Sequence, residues 1–132
     1  MLDFAGARAV VLAWQEAANA QDAGRLVALS APDIAIVGPR GAAHGHQVLR
    51  EWLARAGVRL APRRVFARGA AVVVAQHGVW REAGTGAILG EQAVASSFRV
   101  ADGRVARVAR FDLLAEALAD AGLGEADEVA CP

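Results

Sequence analysis

Asp112 is the side chain best placed in this sequence to do chemistry. It closes the stretch QAVASSFRVADGRVARVARFD, residues 92–112, whose small and β-branched arms flank Asp102-Gly103 and predict a hairpin of two long strands. With Gly103 left-handed in a three-residue turn that carries a bulge, Val94, Ser96, Phe98 and Val100 share a face with Val108, Arg110 and Asp112. A strict two-residue turn would instead pair Val100 with Val105 and send Arg110 and Asp112 to the other face. The bulged register therefore predicts a carboxylate on an otherwise apolar face, where its charged form is disfavoured and it can take or give a proton near neutral pH. Two structural roles compete for the same residue: a salt bridge to Arg110, and a cap on the helix that follows.

Around that carboxylate the sequence offers few partners. Arg110 would share its face and could bind an anionic or carbonyl-bearing ligand, or stand in solvent at the cavity mouth. His77, in the middle of the apolar strand AAVVVAQHGVW, could shuttle a proton, or be a core or interface histidine satisfied by hydrogen bonds. Trp80 shares a strand face with Gln76, and His77 shares the opposite one with Val79 and Arg81, so both point into one pocket only if a bulge intervenes at Gly78. Trp14 supplies a large apolar surface that could cover the pocket, whereas Trp52 reads as core. His44 and His46 flank Gly45, but no cysteine or carboxylate stands at ligand spacing, so no metal is expected. No nucleophile elbow, phosphate loop or glycosidase carboxylate pair is present.

Composition narrows the classes further. The positive charge rests on fourteen arginines and no lysine, balanced by fourteen carboxylates to a formal net charge of zero. That neutrality argues against nucleic acid as the main partner. A hydrophobic fraction of 55% over 132 residues suits one globular domain. The single cysteine, Cys131, has no partner for a disulfide. With no secretory segment and no apolar run long enough for a membrane helix, a soluble cytoplasmic protein is expected.

The elements that must position these groups follow from pattern. Val10, Val11, Trp14, Ala17 and Ala18 recur at helical spacing from Phe4 to Ala20, with Asp3 able to cap. Asp22 starts a second, short helix that Pro32 stops. A short strand from Ile34 to Val37 ends at Gly38-Pro39, a glycine-rich link follows, and a third helix carries Val48, Leu49, Trp52 and Leu53 until Gly57. Strands from Val58 to Arg68 and Ala70 to Glu82 meet at Arg68-Gly69, and Ala83-Gly84-Thr85-Gly86 turns into the hairpin. Leu113, Leu114, Ala117, Leu118 and Ala121 take up helical spacing again and end at Gly122. Residues 1–123 thus form one domain, and residues 124–132 read as a flexible acidic tail. The order predicts an α+β fold whose sheet lies over the N-terminal helices.

The link Asn19-Ala20-Gln21-Asp22 into LVALS, then DIAIVGP, HGHQVLREWL, SFRVADGRV and RFDLLAEAL, together resemble the nuclear transport factor 2-like superfamily, closest to its SnoaL-like and ketosteroid-isomerase-like members. The resemblance runs from about residue 4 to residue 123 and lies in the order of elements more than in one signature. It implies a cystatin-like α+β barrel: a cone-shaped, strongly bent antiparallel sheet wrapped around N-terminal helices, with an apolar pocket on its concave face. It also implies dimers through the convex face. Phe111-Asp112 matches the aromatic-Asp step of epoxide-hydrolase-like and cyclase-like members. His77 and Val79 stand where the epoxide-hydrolase type carries an arginine and an aspartate, which points away from epoxide hydrolysis.

Three readings follow. In the first, the protein is an isomerase, cyclase or dehydratase acting on a small hydrophobic molecule without a cofactor. Asp112 moves the proton, and His77 or Arg110 polarises a carbonyl, in a pocket lined by Trp14, Val94, Ser96, Phe98, Val108 and Trp80. In the second, the same pocket binds without chemistry. In the third, the protein is an association module, because the bulged register turns Val105, Ala109 and Phe111 outward beside Ala93 and Ala95, an apolar patch suited to a homodimer.

Overall fold

In the computed structural model, which describes residues 4–38, 40–55, 58–82 and 84–131, helix α1 (Phe4–Asn19) lies across the inner face of a seven-stranded sheet. Its buried residues Ala7, Val11, Trp14 and Ala18 fall at three- and four-residue steps, the spacing that gives a helix one apolar face. At its end the Asn19 side chain reads the backbone of Leu60 from both sides: Nδ2 donates to the Leu60 carbonyl at 2.8 Å and Oδ1 accepts from the Leu60 amide at 2.7 Å. Helix α2 (Ala23–Ala28) starts where Asp22 Oδ1 accepts from the Arg25 amide at 3.1 Å, the expected cap. Asp3, Pro39, Gly57 and Ala83, given boundary roles above, lie outside the described residues.

The chain continues through β1 (Ser30–Gly38), β2 (Gly41–His44), α3 (His46–Arg55), β3 (Val58–Arg68), β4 (Ala71–Arg81), β5 (Ile88–Ala101), β6 (Arg104–Phe111), α4 (Leu114–Ala121), a 3-10 turn (Glu125–Asp127) and β7 (Glu128–Val129). The sheet order is β2-β1-β6-β5-β4-β3-β7, antiparallel at every pairing except β1 with β6, which is parallel. This is the expected α+β cone: a large curved sheet, not closed into a barrel, with the N-terminal helices in its concave side. The link after Pro39 proves to hold β2, an edge strand exposed along its whole length. Among the described residues no helix is long and apolar enough to cross a membrane.

The β5–β6 hairpin keeps the predicted faces of all but Val105, by a different device. Asp102 and Gly103 both take positive φ, 53° and 75°, a two-residue turn with the twist that Asp-Gly favours. Val100 accordingly pairs with Val105. The extra residue is Ala106: beyond it Arg99 faces Arg107, Phe98 faces Val108 and Ser96 faces Arg110. A bulge in β6 thus restores Arg110 to the inner face after the turn would have lost it. Val105, expected outward, is fully buried in the inner core with Val72, Val74 and Phe98.

Part of the outer face is covered by α4. Ala117 and Leu118 of α4 pack on Phe66, Val73 and Ala95, with Phe111 and Leu114 at the edge. Ala109 is buried as well, so the patch read as a dimer surface is largely internal to one chain; Ala93 stays exposed. Arg107 donates to both oxygens of Asp120 at 2.7 and 3.1 Å, and Gly122 ends α4 at φ 71°, the left-handed cap predicted for it.

Residues 124–131, read from sequence as a free acidic tail, are held on the sheet. β7 pairs with β3 at Val65 and Phe66. Arg64 donates to Glu125 at 2.6 Å and to Glu128 at 2.9 Å, and Arg68 donates to the Gly122 carbonyl at 2.6 Å. The acidic residues look like a solvated run in sequence because their partners lie some sixty positions earlier. The hydrogen bonds from Arg64 lower the Glu128 carboxyl below its ordinary 4.5, and those from Arg107, followed by one from Ser97, lower Asp120 below its ordinary 3.8. A carboxyl lowered by folding stabilises fully above its unfolded value and loses that contribution as pH falls through the folded one. Acidification below about pH 4 should therefore loosen residues 114–131 before the central strands. Amide hydrogen exchange across a pH series checks this; equal protection of α4, β7 and β4 down to pH 3 would count against it.

Candidate functional site

Helices α1 and α3 and the inner faces of β1, β5 and β6 enclose a cavity of about 420 Å³, within the range of small-molecule sites. Leu49 and Trp52, three apart on α3, present one wall. Trp14 of α1 stacks on Trp52 with ring centroids 5.9 Å apart and meets Phe98 edge-on at 5.5 Å. Its indole N–H donates to Ser30 Oγ at 2.9 Å, so this buried ring has its one donor satisfied. Ile36, Leu60 and Val108 add to the apolar lining, and Arg110, Asp112 and Glu116 bring charge to it.

Trp14, Ser96, Val108, Arg110 and Asp112 meet at this cavity, whereas Trp80, expected in its lining, is not part of it. Val94 and Phe98 belong to the inner face but are buried, Phe98 beneath Trp14. Asp112 departs from expectation in its surroundings. It is exposed, so the apolar enclosure predicted for it is absent, and its Oδ1 accepts from Gln92 Nε2 at 3.3 Å. Neither structural role holds: Leu113 is the N-cap of α4, without a side-chain bond, and Arg110 does not pair with Asp112. The Arg110 guanidinium instead lies over the Trp80 ring, 5.4 Å from its centroid, a cation–π contact.

Trp80 and His77 divide as strand alternation requires. In β4, Val72, Val74 and Gln76 pair with Phe98, Ser96 and Val94 on the inner face, while His77 pairs with Ala93 on the outer one. His77 is therefore outside the pocket, with Nε2 3.5 Å from Glu91, and the geometry gives it no part in pocket chemistry. Trp80 folds back over Gly78, where an added Cβ would come within 2.9 Å of the ring. A Gly78→Ala change should push the indole off its seat and release Arg110, at a cost of about 1 kcal/mol. Near-ultraviolet circular dichroism reads the displaced ring; a spectrum identical to that of the parent would refute the seat.

His44 is exposed on β2, and His46 Nε2 lies 3.1 Å from the Ser30 carbonyl. Among the described residues no group of three potential ligands gathers for a metal. What sequence reasoning missed was Trp52 as a wall and the cavity's β1 side. The helical spacing of Trp52 with Leu49 was visible, but it could not say whether that face met core or void. Also unforeseen was a buried polar chain beside the cavity: Gln15 Nε2 donates to Gln76 Oε1, and Gln76 Nε2 donates to Ser96 Oγ at 2.7 Å.

A SnoaL-like domain model matches residues 11–108. Among solved structures, an NTF2-like protein from Burkholderia xenovorans LB400 is 24% identical, with 92% of this chain and 98% of that one covered at a TM-score of 0.69. TerC, co-crystallised with polyporic acid, is 22% identical, with 88% and 97% covered at 0.71. A Sinorhizobium meliloti protein provisionally assigned as a polyketide cyclase is 24% identical, with 76% and 92% covered at 0.64. At these identities the structural likeness speaks for the fold alone. No curated protein matches this chain.

Proposed function

Because the chain belongs to the SnoaL-like domain family of the nuclear transport factor 2-like superfamily, we propose that its cavity binds a small hydrophobic carbonyl compound and that Asp112 moves a proton on it, as an isomerase, cyclase or dehydratase would. The observation that carries this reading is the juxtaposition of an apolar chamber walled by Trp14 and Trp52 with a carboxylate and a guanidinium at its edge. Apolar walls hold the body of the ligand. Asp112, fixed by one exposed hydrogen bond from Gln92, keeps a free oxygen for general acid–base work. Arg110, stacked on Trp80, stabilises negative charge developing on the carbonyl oxygen. No cofactor is part of the proposal.

A second reading, binding without chemistry, is favoured by the exposure of Asp112. One experiment separates the two. With 2-acetylnaphthalene as probe in deuterated buffer, proton transfer predicts protein-dependent exchange of its methyl hydrogens, followed by NMR. Saturable binding without exchange leaves the binding reading; no binding rejects both. Self-association is the second part of the proposal, through the outer sheet beyond α4, where Ala61, His77 and Ala93 stand abreast on three strands. Sedimentation showing only monomer at micromolar concentration rejects it.

A further inference from the structure

The chain of side chains from Gln15 through Gln76 to Ser96 is buried along its whole length, with Gln15 1%, Gln76 2% and Ser96 4% exposed. It crosses from α1 through β4 to β5, and of the three only Ser96 lines the large cavity. Every bond in it points the same way. Gln15 donates through Nε2 to Gln76 Oε1, which commits the Gln76 amide to donate through Nε2 to Ser96 Oγ at 2.7 Å. Ser96 is thus an acceptor within the chain, and a hydroxyl has one proton of its own to give. Among the described residues that proton has no acceptor.

The other end reinforces the point. Among the described residues Gln15 Oε1 is buried without a hydrogen-bond partner, and an unpaired buried acceptor costs stability. Ser96 also faces Arg110 directly across the β5–β6 ladder, so the hydroxyl and the arginine flank one spot on the cavity floor.

We propose that Gln15 and Gln76 are positioning residues that hold the Ser96 hydroxyl as a hydrogen-bond donor to an acceptor oxygen of the bound ligand. The site thereby selects molecules whose buried end carries a carbonyl or a carbonyl-derived oxyanion. The inference rests on the cavity being a ligand site, and it adds which atom of the ligand the floor reads.

A matched probe pair tests it: 2-acetylnaphthalene, and 2-isopropenylnaphthalene, in which a methylene group replaces the carbonyl oxygen. The parent protein should bind the ketone about three- to tenfold more tightly by calorimetry, the range one net hydrogen bond supplies. It should also shift the infrared carbonyl stretch of the bound ketone to lower wavenumber. Ser96→Ala should abolish both effects and Ser96→Thr, which keeps the hydroxyl, should restore them. Gln76→Met, similar in length but without the amide, should weaken the preference and broaden the stretch although the Ser96 hydroxyl remains, a change that a merely structural role would not produce in a variant that still binds. Equal binding of both probes with an unshifted stretch overturns the donor role and leaves the cavity as a ligand site. Binding of neither probe overturns both.

Discussion

Replacing Asp112 by asparagine should slow protein-dependent exchange of the methyl hydrogens of 2-acetylnaphthalene by about 10²- to 10⁴-fold, the range over which a positioned general base acts. The fold should be indifferent. Asp112 is exposed, does not cap α4, and its one described hydrogen bond comes from Gln92; an asparagine oxygen can accept that bond equally well. The change in stability should stay within about 0.5 kcal/mol, as for surface substitutions free of special contacts. An unchanged exchange rate would remove Asp112 from the chemistry, and a large fall in Tm would make it structural.

The largest effect on stability is expected from Trp14→Ala, at about 3 to 5 kcal/mol. Trp14 is 2% exposed and touches both Trp52 and Phe98 ring to ring. Removing it leaves a void joined to the cavity and takes from Ser30 Oγ the donor it faces. Trp14→Phe keeps most of the ring and should cost less. Urea unfolding measures both; a loss below about 1 kcal/mol for the alanine variant would show that the site collapses around the gap.

How much of this was legible beforehand depends on how far each cause reaches along the chain. The Asp22 cap, the left-handed Gly122 and the burial of Trp14 follow from signals within one or two turns, and all three appear. The faces of β5, and of β6 from Val108 onward, were also correct, but the bulge expected at Gly103 lies at Ala106 and Val105 turns inward. Asp102-Gly103 is a complete two-residue turn by itself, and alanine gives no signal of an unpaired residue. The acid-rich end was misread because Arg64 and Arg68 are remote in sequence and close only once β3 is placed. Alternation within β4 put His77 and Trp80 on opposite faces, yet could not say which face was concave. The glutamine chain went unread although Gln15 stands one turn from Val11 and Gln76 alternates with Val72 and Val74, because local pattern cannot show that two polar residues 61 positions apart meet.

The parallel pairing of β1 with β6 joins Ile36 to Val108, contacts that close a long loop and pay their entropy before they are rewarded. The strands from β3 to β6 are sequential neighbours in the sheet and can assemble first. Ile36 and Val108 are also neighbouring parts of the cavity wall, so the cavity is complete only after this closure. A ligand that needs the finished wall should then leave the rate of folding unchanged and express its whole stabilisation as slower unfolding.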